Sequence, residues 1–439
     1  MGGGVPHLHV ASGFSARFGA SHPSALAARA AERGIGTLAL SDRDNVTGAM
    51  RFAKAAAAAG VRPVFGVDLA VAPHQPAAMT APRRRTPVRG GAHVVEAALR
   101  VTLLAKNVAG WGRLCRIVSA AHLAEGVPIA SWDTLEAFAG EDLVVLLGPA
   151  SEPVRALAGG RPDVAERLLE PWRELAGADL RLEAVSWGLA GMGQGSGRLA
   201  AHTVGLADRL GIPVVLANAV RYADPEQHRL ADVLDAARLL RPVDRRRLDC
   251  GERWLKGPGE MAAVAERIAG DCGAGPGRAA ALLAETVRTA EACVVDPVSD
   301  LGLGTRHFPE PTVVGAEPGA GGAMRLLRQR CEAGMTARGL DGDRRSVEQL
   351  DYELGIIGRL GYEPYFLAVA QVVADIRDMG IRVAARGSGA GSMVNHSLFI
   401  GHREPAGAPP ALRAVPVRAA GLAPGHRHRC GVRPPPGGL

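Results

Sequence analysis

Short apolar segments alternate with amphipathic stretches through the first half of the chain. Their lengths are those of buried strands, which we predict at residues 5–10, 37–40, 64–71, 101–104, 143–147 and 214–217. The stretches between them predict helices at residues 23–33, 46–59 and 111–122, the first starting at Ser21-His22-Pro23 and ending at Gly34. Apolar strands separated by helices are typical of parallel pairing, so the pattern predicts an α/β layer or barrel.

The second half has a different pattern. A helix is predicted at residues 277–293, and residues 311–323 are rich in Gly and Pro and predict a loop. Beyond it, Met324, Leu327, Cys331 and Met335 recur near helical spacing, which favours a packed helix face over any cofactor motif. A later helix is predicted to end at Met379.

A glycine- and serine-rich hexamer follows that helix. Residues 387–392 read GSGAGS, and Arg386 precedes them with a fixed positive charge. Such a loop lets backbone N–H groups converge on one point, as they do in phosphate-binding nests. By itself the hexamer is equally typical of an ordinary turn.

Composition narrows the class of protein. At 439 residues the chain has room for two to three domains of about 150 residues each. Its net charge of +7 weakly favours a polyanionic partner such as nucleic acid, although an Arg-rich coding bias has the same effect. Six cysteines without a Cys-x-x-Cys pair indicate neither a zinc ribbon nor a disulfide framework. Without a signal-peptide pattern or an 18-residue apolar run, we expect a cytoplasmic protein with no membrane contact.

Four blocks near the start carry a family resemblance: residues 9–15 (HVASGFS), 19–23 (GASHP), 38–44 (LALSDRD) and 62–69 (RPVFGVDL). Together they resemble the opening of the bacterial C-family DNA polymerases, which include the polymerase III alpha subunit and its error-prone relatives. The resemblance implies a polymerase-and-histidinol-phosphatase (PHP) type (β/α)7 barrel, followed by an incomplete nucleotidyltransferase-like palm of the α+β class. The predicted domains are the barrel at 1–245 with a Pro/Arg-rich insertion at 76–92, a linker at 246–322, and the first part of the palm at 323–401.

The metal ligands of active PHP domains are mostly missing. His9, Asp42 and Asp68 remain at positions of a degenerate site. Other residues stand where the family has ligands: Ala11, Phe18, Arg43, Arg100, Ala219 and Arg221. Arginine cannot give up its proton to bind a cation, so we predict no metal at this site and a structural role in which cationic side chains replace the metal charge. His7 and His9 share one face of a strand, but only His9 falls at a ligand position.

The resemblance extends to residues 359–367 (RLGYEPYFL) and the GSGAGS hexamer, which match the palm of these polymerases. It implies that the hexamer contacts the incoming triphosphate. The predicted nucleotide-binding residues are Arg386, Gly387, Ser388, Gly389, Gly391 and Ser392. Arginines 325, 328, 330, 338, 344 and 345 either line a DNA backbone path or form a solvated helix face.

The family's catalytic Asp-x-Asp should follow the hexamer by some tens of residues. After residue 401 this chain contains one acidic residue, Glu404, and its composition shifts to Pro, Ala, Gly, Arg and His. If suitable synonymous codons are chosen for residues 410–418 and the reading frame is moved one nucleotide forward, the DNA can encode LLFERFLS, a phrase typical of the family. The same shift at residues 424–430 allows PDIDID, the missing catalytic phrase, in the expected order. We therefore expect residues 402–439 to be a frameshifted tail in which His426, His428 and Cys430 form no metal site. A disordered tail is the alternative.

The resemblance implies an error-prone DNA-directed DNA polymerase acting in replication and damage tolerance. Such an enzyme uses Mg²⁺, a primer-template and deoxynucleoside triphosphates, and it has the sliding clamp and other replication or repair proteins as possible partners. For this chain, which lacks catalytic carboxylates, we predict no cofactor and no activity on its own. The alternatives are a metal-dependent PHP phosphoesterase and a non-catalytic interaction module in a replication or repair complex.

Overall fold

A computed structural model describes residues 4–74, 99–123, 127–244 and 248–401. The contacts divide into two compact units, residues 1–305 and 306–439, and each is considered separately. The predicted insertion at 76–92 and the predicted frameshifted tail at 402–439 lie outside the described residues. No helix in the described ranges is long and apolar enough to cross a bilayer.

The first unit alternates strands and helices, as its hydrophobic pattern predicts. The strands are β1 (Thr37–Arg43), β2 (Arg62–Ala70), β3 (Arg100–Ala105), β4 (Leu143–Leu147), β5 (Leu180–Val185) and β6 (Val214–Ala217). The helices are α1 (Pro23–Glu32), α2 (Ala49–Ala59), α3 (Val108–Leu123), α4 (Trp132–Phe138), α5 (Glu152–Ala158), α6 (Pro162–Ala176), α7 (Gly197–Leu210), α8 (His228–Leu239), α9 (Pro258–Asp271) and α10 (Pro276–Glu291). The His22 side chain caps α1, and Pro23 occupies the first position of this helix. The chain turns away after the helix at Gly34, whose φ is 71°.

The six strands form one sheet in the order of the sequence. The pairs β1/β2, β4/β5 and β5/β6 are parallel, whereas β3 runs antiparallel to both of its neighbours. The expectation of parallel pairing throughout is therefore wrong for β3. An apolar run shows that a strand is buried, but its direction depends on the edge of the sheet that its connections reach.

The opening segment joins the two edges of this sheet. The sequence predicts a strand here, but the segment forms only isolated parallel bridges, His7 with Leu38 of β1 and Val10 with Val220 beyond β6. The amide of Ala39 donates to the His7 carbonyl at 2.8 Å, and the amide of Val220 donates to the His9 carbonyl at 3.0 Å. A seventh segment thus lies between β1 and the stretch after β6, which agrees with the predicted PHP-type barrel.

The described part of the second unit contains helices and no strand. They are α11 (Gly322–Ala337), α12 (Arg344–Leu360), α13 (Glu363–Asp378) and the short α14 (Met393–Ser397). A 3-10 turn at Ser388–Gly391 precedes α14. Leu327, Cys331 and Met335 are buried in one hydrophobic cluster with Leu350 and Leu354. The packed face predicted for residues 324–335 is confirmed.

Helix α11 approaches α14 closely at Gly334. A Cβ atom built on this glycine would lie 1.8 Å from the carbonyl oxygen of Ser397. We expect Gly334→Ala to destabilise the second unit by about 2 kcal/mol or more, because backbone must move to admit the methyl group. Urea-dependent hydrogen exchange of peptides from α11 and α14 measures the change.

Gly355 provides the matched control for that substitution. It also lies inside a helix, α12, but a Cβ there meets nothing within 4 Å. Gly355→Ala should stabilise the unit by about 0.5–1 kcal/mol through helix propensity. If both variants changed stability by the same amount, steric contact at Gly334 would not be the cause.

Candidate functional site

One imidazole and two carboxylates meet at one end of the barrel strands. His9 Nδ1 lies 2.9 Å from Glu183 Oε1 on β5, and His9 Nε2 lies 3.9 Å from Asp68 Oδ2 on β2. The Thr102 hydroxyl is 3.4 Å from His9 Nδ1. Asp42, the other predicted remnant of the degenerate site, faces the loop after the opening segment and accepts hydrogen bonds from Ser12 and Ser15. Burial raises the pKa of Asp42 despite these bonds.

Two arginines at the former ligand positions bind Asp68, and one of them also binds Asp44. Arg100 Nε lies 2.9 Å from Asp68 Oδ1, and its Nη2 lies 3.1 Å from Asp44 Oδ2. Arg43 Nε lies 3.3 Å from Asp68 Oδ2. Burial alone would raise the pKa of Asp68, but the charge of Arg100, followed by contributions from His9 and Arg43, holds it far below its usual range.

Further guanidinium groups gather around Phe18, which is buried. The Cζ atoms of Arg43 and Arg221 lie 3.3 and 4.0 Å from the centre of its ring, and those of Arg253 and Arg238 lie 5.3 and 5.5 Å away. Such contacts favour a cation over an aromatic face. An aromatic ring at this position thus provides a surface on which positive groups stack.

Arg221 is the most deeply buried of these cations, with a side chain only 3% exposed. It lies 2.7 Å from Asp235 Oδ1 and 3.2 Å from Asp249 Oδ2, and it donates two hydrogen bonds to the Phe18 carbonyl. Asp249 also accepts from the Tyr222 hydroxyl at 2.6 Å. The position that carries a histidine ligand in the family pattern therefore holds the centre of an ion-pair network.

The protonation states follow from these contacts. Burial opposes a charge on His9, but Glu183 and Asp68 outweigh it and raise the pKa of His9 to about 9. Burial and the charge of Arg100 lower the pKa of Arg43 to about 9, and burial and Arg221 lower that of Arg253 to about 10. At neutral pH the site holds a protonated imidazole and several guanidinium groups.

These residues do not fit a divalent metal cluster. A metal ion would have to displace the proton that Glu183 and Asp68 stabilise on His9, and it would have to compete for Asp68 with two arginines. In the described ranges no group of three or more His, Cys, Asp or Glu is arranged to hold a metal ion. His7 is buried separately, with Nε2 2.8 Å from the Lys256 carbonyl oxygen, and burial lowers the pKa of His7 to about 4.

The Gly-Ser loop forms a second candidate site, in the other unit. Gly387 has φ 86°, residues 388–391 form the 3-10 turn, and Ser392 caps α14 by accepting from the amide of Asn395 at 3.2 Å. Arg386 is exposed beside the loop. The predicted nucleotide-binding residues thus form this turn and its two flanks, and triphosphate binding there stays a prediction.

Glu353 on α12 reaches the end of this loop. The Ser392 hydroxyl donates to Glu353 Oε2 at 2.6 Å, and the amides of Met393 and Val394 donate to its two oxygens at 3.0 Å. Neither Glu353 nor Glu183 was found from the sequence. Glu183 had a visible signal, since it is a lone carboxylate in an apolar strand; Glu353 had none, because it lies on an ordinary amphipathic helix.

Several of the basic residues considered for a DNA path form surface ion pairs. Arg325 pairs with Glu317, Arg328 with Asp351, and Arg344 with Glu348, each at 2.7–2.8 Å. Pairing within one unit favours the solvated helix face for these three arginines.

Comparison with known proteins identifies the family. The PHP domain model matches residues 7–185, and the model named bacterial DNA polymerase III alpha NTPase domain matches residues 325–409. An error-prone DNA polymerase from Symbiobacterium thermophilum is 32% identical over 90% of this chain. Over most of its length the chain resembles the bacterial C-family DNA polymerases. The resemblance predicted from the opening motifs is thus confirmed.

Further members of the polymerase family give the same result. The error-prone DNA polymerase of Mycobacterium tuberculosis is 31% identical over 90% of the chain, and the DNA polymerase III subunit alpha of Xylella fastidiosa is 29% identical over 87%. The chain spans about a third of these relatives, between 29% and 34% of their length. A solved amidohydrolase from Chromobacterium violaceum has a TM-score of 0.32 at 17% identity, covering 49% of this chain and 87% of that structure.

Proposed function

We propose that this polymerase-family chain combines a metal-independent barrel with the nucleotide-binding portion of an error-prone DNA-directed DNA polymerase. The observation that carries the proposal is that family similarity continues from the barrel into the Gly-Ser loop within one chain. The partners that follow are a DNA primer-template and deoxynucleoside triphosphates, with the sliding clamp and other replication or repair proteins as further candidates.

The barrel acts in this proposal as a scaffold. Arg43 and Arg100 neutralise the carboxylate of Asp68, and Arg221 neutralises those of Asp235 and Asp249. Guanidinium groups take over the charge balance that metal ions supply in an active phosphoesterase site. The PHP phosphoesterase alternative is disfavoured because arginines, which repel a metal ion, stand where such an enzyme has metal ligands.

Metal dependence separates the scaffold from the phosphoesterase. We expect neither EDTA nor Mn²⁺ to shift the melting temperature of the first unit beyond error, and we expect no metal-dependent hydrolysis of bis-p-nitrophenyl phosphate. Tryptophan fluorescence during heating and release of nitrophenol provide the two measurements. Mn²⁺-dependent hydrolysis that survives in Arg100→Ala but is lost in His9→Ala would support the phosphoesterase instead.

Polymerase chemistry needs carboxylates that hold Mg²⁺ near the primer end. Residues 393–439 contain one acidic residue, Glu404, and the oxygens of Glu353 are occupied by hydrogen-bond donors. We therefore propose that the chain binds a deoxynucleoside triphosphate but does not extend a primer. Extension of a primed template by the purified chain, after repurification that removes contaminating polymerases, would contradict the second part.

The frameshift hypothesis for residues 402–439 remains part of this proposal. Sequencing the coding DNA from codon 395 and translating all frames tests it. A second frame that continues as FLS and then PDID supports the hypothesis. If only the frame that encodes residues 402–439 stays open, the nucleotidyltransferase half of the proposal loses its support. The interaction-module alternative is then favoured.

A further inference from the structure

The carboxylate of Glu353 is buried in the second unit, with the residue 9% exposed. It receives four hydrogen bonds: the three from residues 392–394 described above, and one from Gln349 Nε2 to Oε1 at 2.8 Å. A buried carboxylate is tolerated only where donors replace its lost water. Here the donors come from the segment immediately after the Gly-Ser loop.

These contacts fix one end of the loop to α12. The Ser392 oxygen that donates to Glu353 also accepts from the amide of Asn395. The Asn395 side chain donates to the Gly389 carbonyl at 2.8 Å, and the Ser392 amide donates to the same carbonyl at 3.2 Å. A chain of hydrogen bonds thus runs from Glu353 through Ser392 and Asn395 into the turn.

The other end of α14 is held sterically. Its Ser397 carbonyl lies against Gly334 of α11, where there is no room for a side chain. Helix α14 is therefore fixed between α11 and α12. Its contacts with these two helices also fix the position of the turn at residues 388–391.

We propose that Glu353 is a positioning residue, which holds the Gly-Ser loop in the conformation that binds a triphosphate. The inference rests on the proposed nucleotide binding. It assigns the Ser392 hydroxyl to Glu353 rather than to the nucleotide, and leaves contact with the phosphates to residues 386–391. The rival role for the same carboxylate is a plug that a triphosphate must displace.

Two variants and a matched control test this role. Glu353→Gln retains the size of the side chain but turns an NH2 group toward donors, and Glu353→Ala removes the acceptor. Glu348→Gln changes an exposed carboxylate on the same helix, whose partner Arg344 is also exposed. The full chain is titrated with a fluorescent deoxynucleoside triphosphate in MgCl2, and amide exchange of residues 389–397 is followed by mass spectrometry.

The expected result is about a tenfold or greater loss of nucleotide affinity in Glu353→Gln, with unchanged affinity in Glu348→Gln. Amide exchange in residues 392–395 should accelerate by at least about tenfold in Glu353→Ala. Formate should restore both affinity and protection in Glu353→Ala, because it refills the carboxylate position, and a general loss of structure would not respond in this way.

Other outcomes overturn the inference in distinguishable ways. Affinity that rises in Glu353→Gln supports the displaced plug and rejects positioning. Absence of nucleotide binding in the unaltered chain rejects the proposed function, and the exchange data then decide separately whether Glu353 holds the loop. Unchanged exchange in Glu353→Ala rejects the inference whatever the affinity.

Discussion

Replacing Arg221 by alanine is expected to lower the free energy of unfolding of the first unit by about 3–5 kcal/mol. The substitution leaves the carboxylate of Asp249, whose side chain is 3% exposed, buried without its cationic partner. It also removes two donors from the Phe18 carbonyl and one cation from the Phe18 ring. Removal of one member of a buried network costs far more than the network contributes in net terms, because the remaining charge stays desolvated.

Tryptophan fluorescence during urea unfolding measures this effect, since all five tryptophans lie between residues 111 and 254, within the first unit. Arg209→Ala is the matched control. Its guanidinium is 56% exposed and lies 3.4 Å from Glu166, so its loss should change stability by less than about 1 kcal/mol. Equal effects of the two substitutions would mean that Arg221 is solvated and that the network does not support the barrel.

The stability of the first unit is expected to fall as pH rises from about 6.5 to 9, and His9 should cause most of the fall. Its folded pKa of about 9 exceeds the unfolded value of 6.5. The folded state therefore holds a proton that the unfolded state releases in this window, and stabilisation present below pH 6.5 is lost as pH passes 9. A shift of this size corresponds to about 2–3 kcal/mol after allowance for the partial exposure of the ring.

Urea unfolding of the unaltered chain and of His9→Gln, from pH 6 to 9.5, isolates this contribution from other titrating groups. The stability gap between the two proteins should narrow by about 2–3 kcal/mol across the window. A constant gap would mean that His9 is neutral at pH 7. Its nitrogen lone pair would then be available, and a metal-ligand role for His9 would have to be reconsidered.

Local sequence was sufficient for several elements of the first unit, although not for β5 or for the opening segment, and it showed which residue types stand at the degenerate site. Helix α1 begins where Ser21-His22-Pro23 predicts, and strands β4 and β6 have the predicted bounds, because caps and short apolar runs act within a few residues. The arginines that exclude metal ligands could likewise be read from residue identity, since a guanidinium cannot deprotonate at any position in a fold.

The tertiary structure alone decided the direction of β3 and the partners of the buried charges. Strand direction depends on where a connection crosses the sheet, and an apolar run carries no such information. Glu183 meets His9 across 174 positions and Glu353 meets residues 392–394 across about 40, so neither contact has a local signal. Residue types thus determined which charges this chain contains, and only folding decided which of them neutralise one another, because electrostatic pairing depends on distance in space.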